Sequence, residues 1–454
     1  MVEKEAGGAV AGDRAGLGRV LRVTALAAVL PGAGYIAVRR QHVGALLLTV
    51  QLTLAVVLAV VLLRHRHDFA PLFVSPEVLD VVRVAAPVVG LAWGGAVLHC
   101  TARSGHGLRS IEDRILCGIA ALAVATAIAL PLVTAGRYAA IQRDLMLHVF
   151  APDGAPPADA PRNGTALGTG TAVRNVVGAD RFNVLLLGGD GGARRLGLRT
   201  DSITVASIDR RTGDTVLFGL PRDLERPPFA PGGPLAERFP GGFDDRLAAV
   251  YPFGQGHPEL LPGAAHPGGA AAAQAAGQVL GLPIDNFVLV DMAGFADLVD
   301  AWGGLPMTVR RPLPFASNGR YLKPGTYTLS GQDALRLART RHGGGDYARM
   351  GRHRCVLAAL AGRPGPLTLA LRFEALVNAA KRSITTDIPR SRMPELVHLA
   401  RRLPTASFTS VQLTPPVLNP ADPDFRRAHR AVAAALAGRT ATPKNDPPPA
   451  TCPA

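Results

Sequence analysis

The sequence predicts two parts, an all-α transmembrane region followed by a soluble α/β domain, and three observations carry this reading. Hydrophobic residues fill 48% of the 454 positions while 18% are charged, so apolar and soluble segments must be separate. The long uncharged runs dominated by Val, Leu, Ile and Ala, with few Pro or Gly, lie in the first third of the chain. From residue 181 onward, short Val/Ile/Leu/Thr-rich stretches alternate with helix-length ones, the pattern of a layered α/β domain.

Residues 43–63, 84–102 and 115–136 carry no charge. Each is about as long as the ~20 helical residues that cross a bilayer core. A fourth run, 23–38, is shorter and contains Pro31-Gly32, so residues 1–150 hold three or four spans. Further spans follow at once, which argues against a cleaved signal peptide. Lys4, Arg14, Arg19, Arg22, Arg39 and Arg40 precede the first firm span. The next two loops tie, with Arg64, Arg66 and Arg83 in one and Arg103, Arg109 and Arg114 in the other. Three spans with the basic N-terminus inside place residue 137 onward outside. With four spans the side depends on the N-terminus, and the count then slightly favours the cytoplasm. Gly32-Ala33-Gly34-Tyr35-Ile36-Ala37 fits a loose dinucleotide-binding pattern. No βαβ unit surrounds it, so packing of helices through small residues explains it better.

Residues 151–180 are rich in Pro, Gly, Ala and Thr and read as a linker; residues 439–454 read as a disordered tail. Between them lies the α/β domain, 181–438. A buried strand at 182–187 runs into a Gly188-Gly189-Asp190 loop. Strands at 202–208 and 215–220 form a hairpin around Asp209–Gly213, and Pro221 stops the second. The Pro/Gly-rich stretch 226–266 is long for a loop, as covers over functional sites are. Helices are expected at 270–280, 292–302, 331–338, 346–361, 367–381, 393–402 and 424–437, with strands at 287–290 and 408–413.

Net charge is +15, and 49 residues are Lys or Arg. An excess of Arg, Ala, Gly and Pro is the mark of GC-rich coding, so bulk charge says little about partners. No basic stripe interleaved with aromatics supports nucleic-acid binding. Cys100, Cys117, Cys355 and Cys452 make no CxxC or CxxH spacing, so neither a disulfide framework nor a zinc site is expected.

Three charged clusters stand on this frame. Asp190 and Asp201, with Arg199 between them, bracket one inter-strand loop; two converging carboxylates suit Mg²⁺, and equally suit caps of strand ends. Arg222-Asp223 follows a strand. Arg339 and Arg341 would share one face of an extended segment; Asp346, Arg349 and His353 share one face of a helix, with Arg352 beside them. Converging guanidinium forks pair bidentately with phosphate oxygens, whereas a solvated basic face is the plain alternative.

The order of the stretches NVLLLGGD (183–190), LRTDS (198–202), FGLPRDL (218–224), GLPIDNFVLVDMAGFADLVDAWGGL (281–305), PGTYTLSGQDALRLARTR (324–341) and DYARMGRHR (346–354) resembles the catalytic domain of the LytR-CpsA-Psr family of bacterial cell-envelope phosphotransferases. The resemblance does not extend over the membrane half. It implies an α-β-α sandwich holding a polyprenyl diphosphate lipid in an apolar cavity, with Asp190 and Asp201 on Mg²⁺. It implies Arg199, Arg222, Arg339 and Arg341 on the diphosphate, supported by Asp346, Arg349 and His353. Gly189 stands where the family usually has Ser, Gly191-Gly192 where it often has Arg, and His353 where Gln is common. The implied activity moves an arabinogalactan-like or teichoic-acid-like glycopolymer from its polyprenyl diphosphate carrier to peptidoglycan, beside membrane lipid and without ATP. Asp223 and Asp201 are candidates for the base. A hydrolase using water, and a non-catalytic regulator of the envelope, are the alternatives. The absence of a helix-turn-helix pattern speaks against a DNA-binding attenuator.

Overall fold

The computed structural model describes residues 2–64, 74–106, 108, 110–153, 180–190, 199–309, 312–315, 321–340, 345–360, 366–402, 405–438 and 451–452. The chain divides into two compact units, Met1–Asp144 and Leu145–Ala454. In the first, α1 (Val2–Val29) and α2 (Pro31–Ala37) precede α3 (Gln41–Arg64), α4 (Pro76–Gly105) and α5 (Ile111–Val149). The last three are long and apolar enough to cross a membrane, and no other described helix is. The expected fourth run is divided at Leu30, because Pro31 starts a new helix rather than continuing the old one. Around the GxGxxA pattern there is helix against helix. A Cβ on Gly32 would lie 2.6 Å from the Gly44 carbonyl oxygen, so small residues let α2 and α3 touch.

The second unit is built on a six-stranded mixed sheet. Its strands are β1 (Arg181–Asp190), β2 (Arg199–Asp209), β3 (Thr215–Leu220), β4 (Asn286–Asp291), β9 (Ile384–Thr386) and β10 (Phe408–Gln412), in the order β10-β3-β2-β1-β4-β9. β10 joins β3 and β4 joins β1 in parallel, while β1–β2, β2–β3 and β4–β9 are antiparallel. Alternate residues of each strand feed opposite layers. Leu185, Leu187, Ile203, Val205, Phe218 and Leu220 pack with α8 (Pro267–Leu280) and α14 (Phe425–Leu436) into the larger core. Val184 and Leu186 on the other face meet α13 (Met393–Arg402) through Leu399 and Leu396. That second layer also contains α9 (Met292–Trp302), α10 (Gly331–Arg339), α11 (Gly345–Leu360) and α12 (Pro366–Ser383). Helix α9 stops where expected, at Gly303 with φ +103°, a left-handed conformation that suits a residue without Cβ. The result is the expected α-β-α sandwich.

Three expectations need correction. The stretch 226–266 is no cover: it contains α6 (Pro234–Arg238) and α7 (Leu247–Gly256) and builds core on the α8 face. Phe239 and Phe243 meet edge to face at 5.1 Å, and both contact Phe253, so aromatic packing orders a segment that Pro and Gly make look loose. Residues 439–450 of the expected disordered tail lie outside the described residues. Thr451–Cys452, however, form a short strand β11 that pairs with β5 (Leu305–Val309), which in turn pairs with β8 (Gly325–Leu329). The two short strands β6 (Leu313–Pro314) and β7 (Tyr321–Leu322) pair with each other. Finally, Cys355 on α11 is disulfide-bonded, although the spacing of the cysteines predicted no such framework; Cys100 and Cys117 are free. Sequence spacing carries no trace of a bridge between elements that only the tertiary fold brings together. Of the linker, residues 154–179 lie outside the described residues. Ala151 pairs with Pro389, and the Asp153 carboxylate accepts from the Ser391 amide at 2.7 Å.

Candidate active site

Asp201 does not sit in a loop, as the sequence led us to expect. β1 extends through Gly188-Gly189 to Asp190, and β2 begins at Arg199. Asp190 faces Arg199, Gly189 faces Thr200, and Gly188 faces Ser202, so the register slips and Asp201 is the extra residue. A bulge of this kind breaks strict alternation and re-aims a side chain. The Asp201 carboxylate meets the next strand end, where Arg222 Nη1 lies 2.5 Å from its Oδ1. Arg222 is held from behind, since its carbonyl accepts the Ala248 amide of α7 at 2.9 Å.

Helix α11 delivers the rest. Arg349 and Arg352, one turn apart, are 4% and 5% exposed. Arg349 Nη2 donates to the Asp201 carbonyl at 3.4 Å, and Arg352 Nη2 donates to the Thr340 carbonyl. Burial, then the neighbouring Arg349 charge, lowers the Arg352 pKa from its usual value. Two like charges held in a half-dry site raise the local potential and favour an anion. His353 Nε2 lies 2.8 Å from the Ala338 carbonyl oxygen. A carbonyl accepts, so Nε2 carries the proton. Burial, with Arg349 second, pushes the imidazole pKa down to about 4, so His353 is neutral at pH 7 and adds no charge to the site.

Behind these groups lies an apolar cavity of about 350 Å³ between the sheet and helices α9, α10 and α11. Leu186, Val288 and Val290 form its floor, and Phe295, Leu298, Trp302 and Leu335 its walls. A smaller polar recess beside it is lined by Asp201, Arg222, Asp223, Arg349 and Gln412. Ser202, Thr204 and His353 line both spaces, so the apolar cavity and the charged recess are contiguous.

The structure thus brings together Asp201, Arg222, Asp223, Arg349 and His353. Arg339 is not in an extended segment: it ends α10, is exposed, and its Nε lies 3.4 Å from Met292 Sδ at the cavity. Arg341 lies outside the described residues, as do the side chains of Asp190, Arg199 and Asp346. Of Asp190 only the backbone is described, paired with Arg199 on the strand next to it, and Asp201 lies in the bulge two residues further along that strand. Among the described residues no group of three or more His, Cys, Asp or Glu gathers as a metal centre.

Residues 162–419, more than half of the chain, match the LytR_cpsA_psr family. The chain belongs to this family. It is 29% identical over 228 residues to a polyisoprenyl-teichoic acid–peptidoglycan teichoic acid transferase TagU of Enterococcus faecalis, covering 49% of this chain and 66% of that protein. It is 25% identical over 244 residues to biofilm regulatory protein A of Streptococcus mutans, covering 51% of this chain and 56% of that protein. The chain thus spans less than two-thirds of these relatives' own lengths. A structure of TagT bound to LIIa-WTA is similar at 20% identity and a TM-score of 0.43, covering 64% of this chain and 100% of that one.

As a LytR_cpsA_psr chain, this protein carries one supporting residue and one recess-lining residue that its sequence did not assign. Arg352 stood among other arginines with no role, although its spacing of three from Arg349 was a usable signal. Its Nε is buried without a hydrogen-bond partner among the described residues, and its guanidinium holds the Thr340 carbonyl between Arg339 and Arg341. Gln412 gave no signal at all. It reaches the recess from β10, more than two hundred residues after Asp201, and only the parallel pairing of β10 with β3 brings it there.

Proposed function

We propose that this chain is a cell-wall glycopolymer phosphotransferase whose donor is a polyprenyl diphosphate. The observation that carries this reading is the contiguity of an apolar cavity with a recess lined by the buried Arg349 and the half-buried Arg222. A polyprenyl chain in the cavity would place its diphosphate against Arg349 and Arg222, with Arg352 behind them holding the Thr340 carbonyl. Arg339 and Arg341 would close over it, with Arg199 at the adjoining strand end. The teichoic acid transferase relatives support a glycopolymer cargo and a peptidoglycan acceptor; arabinogalactan-like and teichoic-acid-like polymers both fit.

The reaction needs no external energy source. An acceptor hydroxyl oxygen bonds to the phosphorus nearest the saccharide. The bond from that phosphorus to the polyprenyl phosphate oxygen breaks, and polyprenyl phosphate leaves. The hydroxyl proton passes to a carboxylate, for which Asp223 and Asp201 are the candidates. Negative charge grows on the leaving oxygens, where preorganised guanidiniums bind more tightly than in the ground state. Asp190 and Asp201 would hold Mg²⁺, which when bound neutralises diphosphate charge. His353, neutral, separates lipid from diphosphate without competing for the anion.

The test is extraction of lipid from protein purified in mild detergent, followed by mass spectrometry. Polyprenyl phosphates or diphosphates are expected, reduced in Leu298→Trp, whose indole would occupy part of the cavity. Recovery of phospholipid alone, unaffected by Leu298→Trp, would oppose the reading. We further propose that three spans place residue 137 onward outside the cytoplasm, next to the wall. A reporter active only outside, fused after Arg143, should be active; activity of a cytoplasm-only reporter at the same point would contradict this topology.

A further inference from the structure

A straight row of residues crosses the cavity face of the sheet: Gln412 is paired with Gly219, Gly219 with Thr204, Thr204 with Leu186, and Leu186 with Val288. The last two form the cavity floor, and Thr204 marks the border with the recess. Gly219 leaves a gap in this row, and the Gln412 amide lies over it. A Cβ on Gly219 would be 2.2 Å from Gln412 Oε1, 2.9 Å from Cδ and 3.0 Å from Nε2, so any other residue there would displace the amide.

The amide is half satisfied. Nε2 donates to Ser410 Oγ at 3.3 Å, from the same face of β10. Oε1 is buried with no hydrogen-bond partner among the described residues. A buried carbonyl oxygen left unpaired loses its hydration without return, so it is a place where a donor belongs. The recess it lines has a volume of about 10 Å³, room for about one water-sized group. The donor must be small and must reach a site whose other walls are Arg222, Asp223 and Asp201. A phosphate oxygen is an acceptor and is repelled by Oε1, so the diphosphate belongs on the arginine side.

We propose that the recess above Gly219 is the acceptor-side subsite, in which Gln412 Oε1 takes a hydrogen bond from a hydroxyl of the incoming saccharide. This rests on the phosphotransferase reading and adds the binding determinant for its acceptor. Gln412 tells a hydroxyl from an anion, and its placement opposite Thr204 sets the hydroxyl beside Asp223 and the arginine-bound phosphorus.

The experiment uses full-length protein in detergent, a polyprenyl diphosphate-linked disaccharide as donor and soluble peptidoglycan fragments as acceptor. Gln412→Ala should raise the acceptor KM about tenfold, the usual worth of one hydrogen bond, and leave the donor KM within about twofold. Gly219→Ala, which pushes the amide out of the recess without removing it, should shift the acceptor KM in the same direction. Circular dichroism and an unchanged donor KM establish that each variant is folded. An unchanged acceptor KM in Gln412→Ala, or acceptor and donor KM rising together in both variants, overturns the assignment while leaving the phosphotransferase reading in place. Wild-type protein that consumes no donor fails that reading itself, and this inference with it.

Discussion

Arg349→Ala is expected to slow turnover of a polyprenyl diphosphate donor by about two to four orders of magnitude. The guanidinium is 4% exposed and enters the site on α11, where it donates to the Asp201 carbonyl. Charge-assisted hydrogen bonds contribute ~1.5–3 kcal/mol each, and a bidentate pair makes two. If those bonds tighten as charge leaves for the polyprenyl phosphate, the loss converts at ~1.4 kcal/mol per decade of rate. Arg349→Lys keeps the charge and loses the planar fork, so it should still lose about tenfold to a hundredfold. Circular dichroism of each variant checks that the fold is kept, so that lost turnover reports on the site. Near-normal turnover by Arg349→Lys would return the arginines of α11 to a purely structural role.

Asp201→Asn is the second large effect, with an expected loss of about a hundredfold or more at saturating Mg²⁺, the scale set by losing several kcal/mol of charge stabilisation. The amide occupies the same bulge and can still accept the hydrogen bond from Arg222 on Oδ1, so the strand and the recess keep their form. What disappears is the negative charge that would bind a hard cation. The alanine variant is a poorer probe, because Asp201 lies within a strand and its removal takes away the carboxylate that lies 2.5 Å from the half-buried Arg222. Rates measured across a Mg²⁺ titration should show the Asn variant both slower and indifferent to the ion. Wild-type Mg²⁺ dependence in that variant would remove Asp201 from the ligand set.

Much of the architecture was legible because it is local. Helix α9 is bounded by Asp291 and Gly303-Gly304, and its periodicity marks it residue by residue. β3 ends at Pro221 for the same kind of reason. The arginines of α11 were legible as a helix face, since spacing along a helix is a property of one segment. What could not be read depends on pairing between segments. The bulge that turns Asp201 exists only in the register of β2 against β1. The recess under Gln412 exists only because β10 pairs with β3 across a glycine. The phenylalanines of 226–266 have no period along the chain, so their packing was invisible and the segment passed for a loop. The strand at Thr451–Cys452 was hidden by the Pro-rich composition before it.

The central claim concerns which bond breaks, so the decisive measurement follows a phosphorus atom. A polyprenyl diphosphate-linked saccharide, radiolabelled only in the phosphate attached to the sugar, is incubated with the full-length protein, Mg²⁺ and peptidoglycan fragments. Phosphotransfer predicts label on the peptidoglycan in a phosphodiester to the saccharide, with unlabelled polyprenyl phosphate released in equal amount. Label retained in polyprenyl diphosphate while the saccharide moves alone would mean glycosyl transfer, and would contradict the account.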